Sequence, residues 1–526
     1  MIRHLPMPGL TGLVLLVAGC GKGGPEVSGS WVGDFRHPAM TLPLEITIDS
    51  TARVSLRSWR LRDATASVVI SGDSVELSVP VEGDTALFRG APSGSAWSGV
   101  ARLGADTVPF ELRRTTRMTT AEWQGIIGTY RTADGRLVGI SYLTEFGDRP
   151  MLVDYASGRI GPLLPIGRDR LLVGRSVVAP LFPADTLTLD LDPAGMPLGL
   201  RFSEPGHPPV VAHRMGTRDE EIPFSNGPVA LAGTLTLPEG AGPHPAMVLI
   251  HGSNAQTRDA MGPWTRYFAG LGFAVLSFDK RGSGRSTGDW KQADFATLAG
   301  DVLSGVRALA GRSDIRADKI GLWGISQAGW IMPLVATMAP KEIAYLVVHA
   351  GTGTTVREQG TLNYRNELRF AGLPDSAVTI GMRYRILDDS VTTTGAGLAA
   401  LQQYYQAHRA EAPWLEEPAP LDAWFRTYYR MLIDYDPAGT WERVTCPVLL
   451  FFGELDANVP PTESWPPIER GLRRAGNTRV TKYVLPQANH VLLEAKTGAR
   501  DEYPRLSRFA PGYFDRMAEW LAANGR

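Results

Sequence analysis

From Thr217 onward the sequence alternates two kinds of segment, and that alternation constrains the fold more than any other feature of the 526-residue chain. Apolar stretches such as PAMVLIHGS and FAVLSFDKRG read as strands that run into glycine-rich turns, and VALAGTLTLP outlines a strand pair before them. Helical stretches such as DFATLAGDVLSGVRALA lie between. Strands alternating with helices imply an α/β fold, with a largely parallel sheet covered on both faces. In such sheets functional groups collect at the carboxyl ends of the strands.

The stretch DKIGLWGISQAGWIMPLVATMA reads as strand, sharp turn and helix around Ser326. A turn of this kind forces the serine hydroxyl clear of the sheet, as a nucleophile requires. The usual pattern is G-x-S-x-G. Here Gly324 is in place, Ala328 stands at the second glycine position, and Gly329 follows one residue late. One methyl is a small addition, and Gly329 still lets helix and strand approach. Pro333 removes one helical hydrogen bond and is expected to kink the helix.

Ser326 needs a base and an acid downstream. Of nine histidines, His490 in LPQANHVLLEAKTG follows the strand VTKYVLP and occupies a loop before a helix. His251 is expected to support its loop, and His349 to be a core or orienting group. The acid is Asp456, just beyond the buried strand and glycine turn of CPVLLFFGELDANVP; Glu454 competes with it, and Asp434 and Asp436 are weaker choices. A carboxylate there can accept the imidazole N–H and hold the tautomer that deprotonates serine. The order Ser326, Asp456, His490 is that of an α/β-hydrolase. Two backbone N–H groups should form the oxyanion hole. One is expected from Gln327. The other is expected from the turn after AMVLIHGSN, at Ser253 or Asn254, with Ser253 preferred. DKRGSGRSTG lacks phosphate-loop spacing and reads as a structural turn.

A second grammar is also present: Ser277 and Lys280 form S-x-x-K, Tyr364 to Asn366 form Y-x-N, and Lys496 to Gly498 form K-T-G. S-x-x-K works only at the start of a helix, whereas Ser277 lies inside a strand, so its side chain and that of Lys280 point to opposite faces.

The segments HGSNAQTRD, DKRGSGRS, GISQAG, YDPAGTWERVTCPVLLFFGELDANVP and NHVLLEAKTG resemble bacterial serine esterases of the EstD type, and are similar also to serine aminopeptidase and dienelactone-hydrolase-like proteins. The resemblance covers roughly Thr217 to the C-terminus. It implies hydrolysis of a carboxylic ester through Ser326, Asp456 and His490, with the acyl chain unspecified.

Residues 31–216 differ in character. Short alternating runs such as SVELSVPV and LPLEITID, separated by GD, DG and SG pairs, predict two β-barrel or sandwich modules, over about 31–118 and 119–216. They resemble small lipocalin-like modules attached to bacterial hydrolases. None of their residues stands out as catalytic, so scaffolding, spacing or ligand gating is expected of them. Within the hydrolase region, 217–526, about ninety residues separate AYLVVHAG from CPVLLFF where one helix would suffice. This aromatic, helix-like insertion, at about 352–440, is expected to form a lid whose rings chiefly pack on one another.

The N-terminus MIRHLPMPGLTGLVLLVAGC has basic residues, a short apolar run and a terminal cysteine. It reads as a signal peptide resembling a lipoprotein lipobox, with Cys20 lipidated and residues 21–30 a tether. This predicts an exported bacterial lipoprotein of the cell envelope, held to the membrane by its lipid alone. Cys446, the other cysteine, is expected in the core. A net charge of −1 gives no reason to expect nucleic acid. No metal-ligand cluster or nucleotide motif appears, so neither a metal nor a cofactor is expected. The chain thus reads as a serine esterase acting on small-molecule esters. A serine peptidase on the same fold and a non-catalytic ligand-binding lipoprotein are the alternatives.

Overall fold

A computed structural model describes residues 26–525, except 38–39, 50–51, 57–60, 82–83, 105, 148 and 179–184. The signal-peptide reading and Cys20 lie outside the described residues. The chain divides into two compact units: residues 1–122, 161–189 and 202–209, and residues 123–160, 190–201 and 210–526.

Eight antiparallel strands from Gly29–His37 to Asp106–Thr115 close into a barrel, so the first module is a barrel and not a sandwich. Alternation drives it: in Ser74–Val81 the valines and leucine at every second position point inward. Trp31 and Trp97 meet edge-to-face inside, 5.5 Å apart. A second barrel is built from strands between Gly128–Thr132 and Val210–Arg214.

The last element is an eight-stranded sheet. Its strands are β1 (Arg218–Asn226), β2 (Val229–Leu237), β3 (His244–Ile250), β4 (Ala274–Phe278), β5 (Ile315–Ile325), β6 (Tyr345–His349), β7 (Val448–Gly453) and β8 (Val480–Leu485), in the order β1-β2-β4-β3-β5-β6-β7-β8. Only β1–β2 and β2–β4 pair antiparallel. β4, β6 and β7 are buried along their whole length, as expected of parallel strands covered on both faces. The covering helices are α1 (Gly262–Gly270), α2 (Phe295–Ala310), α3 (Ala328–Met338), α9 (Pro461–Arg474) and α10 (Tyr513–Asn524), and α2 starts where Asp294 accepts from the Thr297 N–H at 2.8 Å. Between β6 and β7 stand α4 (Val356–Phe370), α5 (Asp375–Thr394), α6 (Leu398–His408), α7 (Trp424–Leu432) and α8 (Ala438–Trp441).

Part of the second barrel belongs to the same compact unit as the hydrolase sheet. Its strands pack on α1: Thr129 Oγ1 donates to the Arg266 carbonyl at 2.9 Å, and Tyr155 Oη donates to that of Pro263 at 2.6 Å. Gly270 is small by need, because a Cβ there would stand 2.7 Å from Leu137 Cδ1. Strand Pro150–Asp154 is buried throughout, with no solvent face. That part of the module packs directly against α1 of the hydrolase domain.

Candidate active site

Ser326 sits between β5 and α3 with φ +56, a left-handed conformation that a non-glycine residue adopts at an energetic cost. Its backbone N–H donates to the His349 carbonyl at 3.0 Å, tying the elbow to the end of β6. Ser326 is partly exposed, while Ile325, Gln327 and Ala328 are buried. The departure at Ala328 is accommodated by its neighbours. A Cβ on Gly324 would lie 2.4 Å from the Ala328 methyl, so the bare Gly324 makes the room that methyl fills. Gly329 meets the backbone after β6, where a Cβ would lie 2.5 Å from Gly351 Cα. Pro333 lies inside α3 as expected.

Asp456 and His490 meet in the loops after β7 and β8. His490 Nδ1 faces Asp456 Oδ2 at 2.9 Å, and Asp456 Oδ1 accepts the N–H groups of Asn458 and Val459 at 2.9 and 2.7 Å. The buried carboxylate is thus fixed on both oxygens. Burial alone would lower the His490 pKa; the charge and hydrogen bond of Asp456, then the charge of Glu145, outweigh it and raise the pKa above its ordinary value. Asn489 shapes the loop by accepting the N–H groups of Val491 and Leu493 at 3.1 and 3.0 Å.

The other candidates are engaged elsewhere. Glu454 accepts the Gln487 N–H at 2.9 Å, Asp434 pairs with Arg357 at 2.7 Å, and Asp436 accepts the Ala438 N–H at 2.9 Å. His251 lies 2.6 Å from the Phe278 carbonyl, and burial lowers its pKa to about 3, so it is a neutral support for its loop. His349 is wholly buried beside the hydroxyl of Tyr513 at 3.1 Å. Ser277 Oγ turns to Thr265 Oγ1 at 2.9 Å and does not meet Lys280, while the N–H groups of Thr497 and Gly498 go to Glu502.

Lys280 carries more than its sequence context signalled. It is 2% exposed, and its ammonium donates to the carbonyls of Gly252 and Asn254 at 2.9 and 3.1 Å and to Gln327 Oε1 at 2.9 Å. Gln327 in turn donates to Tyr428 Oη, on α7, at 3.2 Å. One cation therefore joins the turn after β3 to the residue after Ser326. A trans peptide points its C=O and N–H in opposite directions. The Gly252 carbonyl directed at Lys280 thus sends the Ser253 N–H away from it. Asn254, the other residue considered for the hole, has φ +67. Gln327 precedes α3, whose first N–H groups have no partner within the helix. Burial pulls the Lys280 pKa down to about 7, with Asp301 opposing.

A pocket opens beside these groups, lined by Ile325, Gln256, Met261, Trp264 and Val491 among others, and by Leu143, Glu145 and Phe146 from the second barrel. Sequence reasoning missed Glu145: a lone acid in a loop between two strands carries no motif. Among the insertion's rings, Tyr404, Tyr405 and Trp414 pack in a small core around Leu401, whereas Tyr428 joins the main core.

A profile of the X-Pro dipeptidyl-peptidase (S15) family matches residues 226–491, which is 266 of the 526 residues. The chain belongs to that family. This S15 member is accordingly a hydrolase of the serine type on the α/β-hydrolase fold. It is similar to esterase EstD of Thermotoga maritima, at 23% identity over 301 residues that cover 55% of this chain and 65% of EstD. It is similar also to an uncharacterised 31.7 kDa protein of Escherichia coli, at 24% identity over 242 residues that cover 44% of this chain and 80% of that protein. Among solved structures, an esterase of Pyrococcus furiosus aligns at 17% identity and TM-score 0.39, over 59% of this chain and 92% of its own. Proline iminopeptidase of Mycobacterium smegmatis aligns at 18% identity and TM-score 0.37, over 58% and 99%.

Proposed function

We propose that the protein hydrolyses carboxylic esters through Ser326, His490 and Asp456. The observation that carries this reading is the 2.9 Å contact of His490 Nδ1 with a doubly anchored Asp456, in the domain whose elbow holds Ser326 at φ +56. Ser326 Oγ attacks the carbonyl carbon as His490 Nε2 takes its proton, and Asp456 stabilises the imidazolium. The oxyanion is held by the N–H groups of Ser253 and Gln327. The intermediate collapses, His490 returns the proton to the departing alkoxide, and the alcohol leaves an acyl-serine. Water then attacks with its proton going to His490, and the acid is released as Ser326 is regenerated. Helices α4 to α8 act as a lid through Tyr428 and its bond to Gln327. Cys20 carries the lipid that holds the exported protein at the cell envelope, which loss of palmitate labelling in Cys20→Ala would support.

The test is turnover of p-nitrophenyl acetate, butyrate and octanoate by the wild type and Ser326→Ala. Loss of at least a thousandfold in the mutant is expected. Retained turnover removes Ser326 as the nucleophile. A peptidase reading is favoured by the S15 match itself. Cleavage of aminoacyl p-nitroanilides with no ester turnover would select it.

A further inference from the structure

The proposed chemistry makes no use of His349, yet this residue lies between the nucleophile and the base. It ends β6, paired with Ile325 of β5 on one side and Phe451 of β7 on the other, and it is wholly buried. Its carbonyl accepts the Ser326 N–H at 3.0 Å. Both Ser326, at φ +56, and Ala350, the residue after His349, at φ +47, are held in the left-handed region. The backbone of the elbow is therefore tied to His349.

The imidazole has a defined proton arrangement. Trp264 Nε1 donates to Tyr513 Oη at 2.9 Å, and an indole N–H can only donate. The hydroxyl, with a lone pair so engaged, gives its own proton to His349 Nδ1 at 3.1 Å. Burial holds the His349 pKa well below its ordinary value, so the ring is neutral. A neutral imidazole that accepts at Nδ1 carries its proton on Nε2. That Nε2 is shut off from solvent and makes no hydrogen bond of good geometry among the described residues. A buried N–H without an acceptor is costly. One acceptor is at hand: the main-chain carbonyl of His490 bears on the same ring and favours its protonated form. No backbone N–H of the described residues donates to that carbonyl. The loop that carries it is itself under strain, with Gln487 at φ +53 and Leu492 at φ +58.

We propose that His349 is a positioning residue for the reacting pair: its carbonyl holds the Ser326 N–H, and its Nε2–H closes on the His490 carbonyl as the reacting complex forms. One residue then fixes nucleophile and base relative to each other. Hydrogen bonds that are long in a free enzyme commonly tighten on that passage. The inference rests on Ser326 and His490 being the reacting pair, whatever the substrate. Trp264 also lines the pocket beside Ile325 and Val491, so the chain of donors runs from the pocket wall to the base.

The experiment is the rate at which a fluorophosphonate inactivates the full-length protein. Ser326 Oγ displaces fluoride from phosphorus while His490 takes the hydroxyl proton, so the rate reads nucleophile and base without ester turnover. Wild type is compared with His349→Asn and His349→Gln, with Ser326→Ala as the blank. Asparagine puts an oxygen in the place of Nδ1 and still meets Tyr513, but it is too short to reach His490. Glutamine extends an amide N–H to the place of Nε2. His349→Asn should be inactivated roughly 10–100-fold more slowly than wild type, and His349→Gln should recover most of that loss. Tyr513→Phe leaves the imidazole in place and releases its tautomer, and should also slow inactivation. Thermal unfolding reports the fold of each variant. Equal rates for the Asn and Gln variants, or losses in both that track their unfolding midpoints, overturn the inference. Should His349→Asn fail to fold, a Tyr513→Phe rate equal to wild type overturns it. A wild type that is not inactivated overturns the Ser326–His490 pair and the inference with it. A wild type that is inactivated but hydrolyses no ester loses only the esterase reading, and the comparison of variants still decides the role of His349.

Discussion

Lys280→Met tests whether the buried ammonium organises the oxyanion hole or merely fills space. Methionine keeps most of the stem's volume and removes all three donors. The Gly252 and Asn254 carbonyls and Gln327 Oε1 then lose partners at 2.9, 3.1 and 2.9 Å. Gly252 and Gln327 are buried and Asn254 is exposed, so two acceptors are stranded and the third finds water. Each stranded acceptor costs ~1–3 kcal/mol. Against this, the variant no longer desolvates an ammonium, which is worth several kcal/mol. The net change in stability is therefore small, ~1–2 kcal/mol in either direction.

The effect on turnover should be larger and one-sided. With its carbonyl untethered, the Gly252–Ser253 peptide is free to rotate, and the Ser253 N–H loses its fixed direction. Losing an oxyanion donor outright costs about 10²–10³ in kcat. A donor left in place but disordered should cost roughly 10–100-fold in kcat, with KM within threefold. The assay is steady-state hydrolysis of p-nitrophenyl butyrate, with thermal unfolding measured in parallel. A kcat within threefold of wild type would refute the argument. So would a loss of activity fully explained by a lowered unfolding midpoint. Lys280 also has a pH signature. Its folded pKa of about 7 lies below the unfolded 10.5, so the unfolded chain binds more protons between them and stability rises with pH over that window. Lys280→Met should flatten that slope.

Three further outcomes are expected. In the proposed mechanism His490 must be neutral to act as base, and its pKa is raised, so kcat/KM should climb with pH through a midpoint above 6.5; Glu145→Gln removes one of the charges that raise it and should shift the midpoint down, read from the pH–rate profile. The same raised pKa contributes stability that is fully present below pH 6.5 and lost as pH rises through the folded value, so Asp456→Asn should lose stability most on the acid side, by chemical unfolding at pH 5.5 and 8.5. Gly329→Ala places a Cβ 2.5 Å from Gly351 Cα and should cost ~1–3 kcal/mol by denaturant titration, whereas Ala328→Gly, which only removes a methyl above Gly324, should cost less.

What could be read in the sequence, and what could not, follows from how locally each feature is encoded. The α/β alternation, the elbow around Ser326 and the placing of Asp456 and His490 after β7 and β8 are legible because short strands, turns and chain order carry them. The barrels were legible as alternation, yet a barrel and a sandwich share the same period of two, so only the strand pairing of Gly29–His37 with Asp106–Thr115 separates them. Lys280 and Glu145 were not legible for a different reason. Each acts through partners far along the chain: Lys280 through Gln327, 47 residues away, and Glu145 through its charge on His490, whose pKa it helps to raise. A buried lysine is tolerable only where enough acceptors surround it, and the effect of an acid on a distant imidazole is visible only once the fold brings the two together. Groups placed by a turn and by chain order are written in motifs, whereas groups placed by packing between distant segments are written in contacts. The loop at Leu143–Phe146 lies outside the region matched by the S15 profile, yet it lines the pocket beside Ile325 and Val491, and only the packed fold brings it there.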